Sequence, residues 1–136
     1  MNWEKEDYTI TWDKSRIDIK VLSELLGGSH WAEHRCREDI EKSVANSICF
    51  GLFHGDVQIG FARVLTDEMA YAVILDMIIR AEFRGRGLGN WLMACIGSHP
   101  VVAPLRQVLW TSRAVDFYRG IGFKEAAPLK LMARSW

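Results

Sequence analysis

The sequence has few cysteines, no long apolar run and no excess of charge. Its three cysteines, Cys36, Cys49 and Cys95, are an odd number without a C-x-x-C pair, which argues against a disulfide framework and a cysteine zinc site. No apolar stretch reaches the ~18 residues that a transmembrane helix needs, and the acidic N-terminal segment has no apolar signal core. We therefore expect a cytoplasmic protein, not bound to a membrane, whose thiols fill core positions.

The charges balance, because 17 basic and 17 acidic residues give a formal net charge of zero. A dedicated nucleic-acid binder needs a large basic surface, so we expect no nucleic-acid partner. The 136 residues fit one domain, 1–136, without an internal repeat or a low-complexity linker. His30 and His34 lie four residues apart, but no third ligand follows at a familiar zinc spacing, so we expect no metal.

A loop rich in arginine and glycine, 84–89, lies between an apolar run and a helical pattern. The run 72–79 predicts a strand, and apolar residues repeat at helical spacing from Leu88 to Ile96. The loop lacks the P-loop pattern, and its third glycine comes one residue too early for the dinucleotide pattern. Alternate glycines permit unusual backbone angles, so that N–H groups can converge on a diphosphate at a helix N-terminus. On the loop alone, a glycine-softened turn in an ordinary β–α unit is the other interpretation.

Apolar periodicity and turn residues predict the element order β-α-α-β-β-β-α-β-α-β. The predicted strands are 8–12, 48–53, 57–65, 71–79, 107–111 and 129–133. Four helices are predicted. The first begins with a Ser15/Asp18 capping box, and the second buries Cys36, Ile40 and Val44. The third follows the glycine loop and contains the helical repeat from Leu88 to Ile96, and the fourth spans 112–119 with Ser112 as N-cap.

Asp76 is an acid inside the apolar run 71–79. A buried carboxylate is destabilising unless it is paired or hydrated. Two interpretations stay open at this point. Asp76 is either a structural acid bonded to a backbone group or an arginine, or a general base whose pKa is raised by its surroundings.

A second motif follows the loop, from Ala114 to Phe123. It fits A-x-x-[FL]-Y-x-x-x-G-F, while the loop fits [RQ]-x-x-G-x-G. Together the two motifs resemble the GCN5-related N-acetyltransferase (GNAT) superfamily, and the resemblance covers essentially the whole chain. The stretch 59–67 also resembles a compact bacterial subgroup whose substrates are mostly unassigned. The resemblance implies an α/β (α+β) fold with a mixed, mostly antiparallel central sheet flanked by helices.

The resemblance also implies acetyl-CoA as co-substrate and direct acyl transfer to an amine in a ternary complex. The implied contacts to the cofactor come from Met77, Ile78 and Ile79 for pantetheine, and from Arg84, Gly85, Arg86, Gly87, Leu88, Gly89 and Asn90 for the pyrophosphate, with Ser112 nearby. Ser112 departs from the family, because many members carry an asparagine or a threonine-arginine pair there. Tyr118 matches the family's tyrosine, a candidate acid for the leaving thiolate, and Asp76 is the candidate base. A core aromatic is the alternative role of Tyr118.

Recognition of the amine, on a small molecule or a peptide, is expected from His30, Trp31, Glu33 and Trp110. Tryptophan beside an acid could hold a cationic amine through cation–π and ion-pair contacts. A non-catalytic acyl-CoA-binding or sensing module on the same fold is the alternative function. Many relatives form dimers through C-terminal strands, and the tail that ends at Trp136 is compatible with a homodimer.

Overall fold

The computed structural model describes residues 1–135, which form a six-stranded sheet with helices on its two faces. The strands are β1 (Asn2–Lys5), β2 (Tyr8–Thr11), β3 (Ile48–His54), β4 (Val57–Thr66), β5 (Tyr71–Ile79) and β6 (Arg106–Val108). The helices are α1 (Ile19–Gly27), α2 (Arg37–Ala45), α3 (Leu88–Ser98) and α4 (Val115–Arg119). Trp136 lies outside the described residues. Within residues 1–135, no helix combines the length and the apolar character that crossing a membrane requires.

The strands follow one another in the sheet in chain order, from β1 to β6. Each neighbouring pair from β1 to β5 is antiparallel, and β6 runs parallel to β5. The chain returns from β5 to β6 through α3, as a parallel crossover requires. The predicted fold class, a mostly antiparallel sheet with flanking helices, is confirmed.

The two ends of the chain differ from the predicted order. The first strand is preceded by another, because Asn2–Lys5 pairs with Tyr8–Thr11 as a hairpin. The closing strand predicted at 129–133 is wrong, since this segment has no strand partner among residues 1–135. Its side chains Leu129, Leu131 and Met132 are 79%, 63% and 88% exposed. Alternation alone does not make a strand when no neighbouring surface is present to bury it.

Three predictions about the helices also need correction. Asp18, not Ser15, caps α1 by accepting a hydrogen bond from the Val21 amide at 3.1 Å. Ser112 does not cap α4, which begins at Val115; the hydroxyl of Thr111 instead accepts from the Ala114 amide. Cys36 is exposed at the N-cap of α2, so the buried line of that helix contains Ile40 and Val44 alone. Short polar side chains at several positions before a helix can accept a hydrogen bond from an N–H group of its first turn. Sequence spacing alone does not tell which of them does so.

The sheet separates two hydrophobic layers. The layer on one face contains Leu22, Leu25 and Leu26 of α1 with Ile40 and Val44 of α2. The other face packs against α3 through Leu88, Leu92, Met93, Cys95 and Ile96. Both layers draw side chains from β5, which explains why its sequence is apolar at nearly every position.

A bulge changes which residues of β5 face each layer. Leu75 is opposite Arg63 and Ile78 is opposite Phe61, so Asp76 and Met77 share one position of β4. Asp76 has φ = 55°, a left-handed conformation that is uncommon for residues other than glycine. The extra residue shifts the alternation of side chains. As a result, Ala72 and Ile74 before the bulge and Ile79 after it pack in the layer of α3, whereas Ile78 packs with α1 and α2.

The last strand pairs with β5 over a short length. Tyr71, Ala72 and Val73 are opposite Arg106, Gln107 and Val108, and the pairing ends there. From Ile74 onward, β5 has no strand partner on this side within residues 1–135. The two parallel strands therefore leave an opening that begins beside the bulge.

Candidate active site

A cleft of about 770 Å³ lies at this opening. Its walls come from β5, the segment after β6, the start of α4 and the connection before α2. The lining residues are His30, Trp31, Arg35, Ile74, Leu75, Asp76, Met77, Leu109, Trp110, Thr111, Ser112, Arg113, Ala114, Tyr118 and Leu131. Segments far apart in the sequence thus meet in one concave site, as is typical of ligand pockets.

The cleft brings together seven of the residues predicted for the site. They are His30, Trp31, Asp76, Met77, Trp110, Ser112 and Tyr118. Glu33 is not among the lining residues; its carboxylate lies 3.5 Å from His34 Nε2, and both side chains are largely exposed. The acid that was expected beside Trp31 is therefore outside the cleft, and the pairing of Glu33 with a cationic amine there is not supported.

Sequence reasoning did not assign a role to two arginines that line the cleft, Arg35 and Arg113. Arg35 lies just before α2 and contacts a residue 41 positions later in the chain. Arg35 belongs to no local motif, and Arg113 lies directly before the motif that begins at Ala114, so the sequence assigned neither arginine a role in the cleft. Their placement depends on the tertiary structure.

Asp76 accepts hydrogen bonds from two guanidinium groups. Arg35 Nη1 and Arg63 Nε lie 2.5 Å and 2.6 Å from the same oxygen, Oδ2. Arg63 also donates to Ser47 Oγ at 3.1 Å, which fixes the orientation of its guanidinium plane. The Asp76 side chain is 2% exposed, whereas those of Arg35 and Arg63 are 29% and 14% exposed. Two cations thus neutralise one buried anion.

The paired arginines decide the protonation of Asp76. Burial by itself raises the pKa of this carboxyl group, but the hydrogen bonds and charges of Arg35 and Arg63 outweigh it, so that the pKa is lowered. A carboxylate with a lowered pKa is a weak base. The geometry therefore favours the structural interpretation of Asp76, an acid paired with arginine, over that of a general base.

Tyr118 of α4 lines the same cleft as the bulge residues Asp76 and Met77. Its ring contacts Phe117 and Phe123, with centroids 5.0 Å and 5.9 Å away. Burial raises the pKa of the phenol, so the hydroxyl keeps its proton at neutral pH. Tyr118 can therefore act as a proton donor inside the cleft.

The glycine loop has the backbone that its sequence predicts. Gly85 and Gly87 have φ values of 77° and 79°, and a Cβ atom on either would meet nothing within 4 Å. Glycine is needed here for the left-handed backbone rather than for space. Gly87 is the N-cap of α3, so the unpaired N–H groups of the first helical turn follow directly. This is the local geometry of an anion site.

The two arginines of the loop have different positions. Arg84 Nε donates to the carbonyl oxygen of Ile79 at 2.9 Å and so ties the loop to the end of β5. Arg86 lies over the ring of Phe83, 5.1 Å from its centroid, and its Nη1 is 3.4 Å from the hydroxyl of Tyr8. Arg86 is exposed and remains available to an anion.

A close contact joins the loop to the cleft. A Cβ atom on Gly89 would lie 3.3 Å from Phe117 Cζ and 3.7 Å from Met77 Cε. The first turn of α3, the bulge of β5 and α4 therefore meet at a position where a larger residue would be crowded. The glycine loop and the cleft are therefore neighbours in the structure.

The part of the chain that the structure describes contains no group of three or more His, Cys, Asp or Glu residues arranged to hold a metal ion. His30 instead packs edge-on against Trp31, with ring centroids 5.3 Å apart. Trp31 and Trp110 are each 46% exposed and present aromatic surface to the cleft.

Comparisons with known proteins agree with this geometry. A candidate acetyltransferase from Gibberella zeae is 24% identical over 91% of this chain and 83% of its own length. An uncharacterized N-acetyltransferase, ycf52, from Gracilaria tenuistipitata is 36% identical over 80% of this chain, which spans 63% of that relative. A crystal structure of a GNAT-family protein from Xanthomonas campestris, described as a candidate acetyltransferase, has a TM-score of 0.88 and 32% identity, with 95% and 93% of the two chains covered.

A family model described as an acetyltransferase (GNAT) domain matches residues 45–125. The matched part contains β3, β4, β5, the glycine loop, α3 and α4, and so includes most of the cleft. Because the match covers more than half of the chain, the protein belongs to the GNAT acetyltransferase family.

Proposed function

We propose that this protein transfers an acetyl group from acetyl-CoA to a primary amine, by direct attack of the amine in a ternary complex. The observation that carries the proposal is the continuity between the glycine loop, the unpaired side of β5 and the cleft at Tyr118. Family membership supports acyl transfer in general. The amine, on a small molecule or a peptide, is part of the proposal.

In this proposal the diphosphate of CoA binds to the amides that follow Gly85 and Gly87, with Arg86 as a charged donor. The pantetheine arm then lies along Met77, Ile78 and Ile79, where β5 lacks a strand partner. The thioester thereby reaches the bulge. A backbone amide of Ile78 or Ile79 polarises its carbonyl oxygen.

The chemical step forms a C–N bond and breaks the C–S bond of the thioester. The unprotonated amine attacks the carbonyl carbon, and the electron pair of the C–S bond leaves with sulfur. Tyr118 donates its proton to that sulfur, so the leaving group departs as the thiol. Before the attack, the ammonium form loses one proton to water in the open cleft, because Asp76 already binds Arg35 and Arg63. The nitrogen loses a second proton to water as the amide forms, and water returns a proton to the Tyr118 phenolate.

Two measurements test the proposal together. Calorimetric titration with acetyl-CoA and with CoA measures binding, and a thiol-release assay over a panel of amines measures transfer. We expect binding with release for one class of amine. Binding without release for every amine would favour the acyl-CoA sensing module, and absence of binding would remove the assignment of the glycine loop.

A further inference from the structure

The cleft carries an excess of positive charge. Among its lining residues, Arg35 and Arg113 are basic and Asp76 is acidic. Arg63 is not among the lining residues, but it contacts the same oxygen of Asp76 as Arg35 does. Three positive charges and one negative charge leave this group at +2.

Asp76 is not available to bind a cation. Its Oδ2 atom accepts from both guanidinium groups, and its side chain is 2% exposed. Within residues 1–135, no other aspartate or glutamate lines the cleft. A cationic substrate would therefore meet net repulsion there instead of an ion pair.

Arg113 is available to bind an anion. It is exposed on the segment that leads into α4, and within the described residues its guanidinium forms neither a hydrogen bond nor an ion pair. It lines the same cleft as Tyr118, the proposed acid. Arginine suits carboxylates because its planar donors match the two oxygens.

We infer that the acceptor carries a carboxylate beside its amine, as an amino acid does, and that Arg113 binds this carboxylate while Arg35 contributes to the attractive charge. The inference rests on the proposed function and names the substrate class for the same cleft. Trp31 and Trp110 supply aromatic surface for an apolar part of the acceptor.

The positive cleft also assists the chemistry. A nearby positive charge disfavours the ammonium form, so an amine bound there loses its proton more readily than in water. The acceptor's carboxylate cancels part of the repulsion on entry. The net positive charge thereby favours deprotonation of the acceptor's ammonium group. Asp76, which is paired with arginines, does not supply this effect.

The test compares acceptors that differ by one carboxylate. The pairs are β-alanine with ethylamine, phenylalanine with phenethylamine, and tryptophan with tryptamine, each assayed by thiol release. We expect kcat/KM to be at least tenfold higher for the carboxylate member of one pair. Arg113→Gln should reduce that ratio toward one, Arg113→Lys should restore part of it, and the matched variant Arg119→Gln should leave it unchanged.

Other outcomes would overturn the inference. A higher kcat/KM for the amines without a carboxylate would contradict it. An unchanged kcat/KM ratio in Arg113→Gln together with weaker CoA binding would also contradict it, because Arg113 would then bind the cofactor. If no acceptor reacts, the CoA-saturated protein is titrated with the same pairs to compare their binding. Preferential binding of the carboxylate member that is lost in Arg113→Gln would support the inference. Equal binding of both members, or no binding, would contradict it. Failure of the proposed function is distinct, since it appears as loss of acetyl-CoA binding or of all turnover.

Discussion

Arg35 Nη1 donates to Asp76 Oδ2 at 2.5 Å and so connects the segment before α2 to the bulge of β5. The contact spans 41 residues of sequence, and both residues line the cleft. Because Arg63 binds the same oxygen, removal of the carboxylate charge would leave two guanidinium groups close together without their counter-ion.

Asp76→Asn should therefore destabilise the fold. Breaking a buried ion pair by removal of one partner costs about 3–5 kcal/mol, and the partial exposure of Arg35 reduces this to about 2–3 kcal/mol. Urea unfolding measures the free energy directly. Asp116→Asn is the matched control, since that carboxylate is fully exposed and its loss should change the free energy by less than about 0.5 kcal/mol.

The same pair should make stability depend on pH. The pKa of Asp76 is lowered in the folded protein, so its contribution is fully present above the unfolded pKa of about 3.9 and is lost as the pH falls through the folded value. The difference in unfolding free energy between the native protein and Asp76→Asn should shrink below about pH 4. Asp13 and Asp67 also have lowered pKa values, but both proteins contain them, so their effects cancel. If this difference in unfolding free energy does not change with pH, the ion pair of Asp76 is not its cause.

Tyr118→Phe should lower kcat while the affinity for acetyl-CoA stays close to that of the native protein. Loss of a general acid typically costs about 10²–10⁴-fold in rate, and phenylalanine keeps the packing against Phe117 and Phe123. Steady-state kinetics with calorimetry separates the two effects. Tyr71→Phe removes a hydroxyl outside the cleft and should leave kcat unchanged. A normal rate in Tyr118→Phe would assign the tyrosine to packing instead.

Gly87→Val should weaken the binding of CoA at least tenfold without unfolding the protein. Its φ of 79° is strained for a β-branched residue, at a cost of about 1–3 kcal/mol, so the start of α3 must shift. Calorimetry measures the affinity for CoA, and thermal unfolding measures the stability of the protein. Gly27→Ala is the control, because its added Cβ meets nothing within 4 Å and it lies in α1, away from the loop. Equal affinity in both variants would argue that the loop does not bind the diphosphate.

Local patterns predicted the parts of the fold that depend on neighbouring residues. The predicted strand 71–79 has the bounds observed for β5, and the helix predicted after the glycine loop is confirmed as α3, since both follow from apolar periodicity. The strand at 129–133 failed because its formation depends on a neighbouring edge, which a single segment does not encode. The hairpin strand Asn2–Lys5 was missed because its charged residues hide the alternation.

The candidate site was predictable where motifs are local. Tyr118 and Asp76 lie in one cleft, as their motif positions indicated, but the role of the acid depends on Arg35 and Arg63. These partners come from two other segments, and one aspartate in an apolar run is compatible with both a base and an ion pair. Only the tertiary contacts distinguish the two.

Because of the bulge at Asp76, the fold constrains the number of residues in β5 as strictly as it constrains their apolar character. Deletion of one residue there would remove the mismatch between β5 and β4, so that Ile78 would move to the α3 face and Ile79 to the opposite face. Both hydrophobic layers would then be filled by the wrong side chains. Insertions and deletions in this strand should therefore be tolerated far less well than conservative apolar substitutions, although most of its positions are chemically alike.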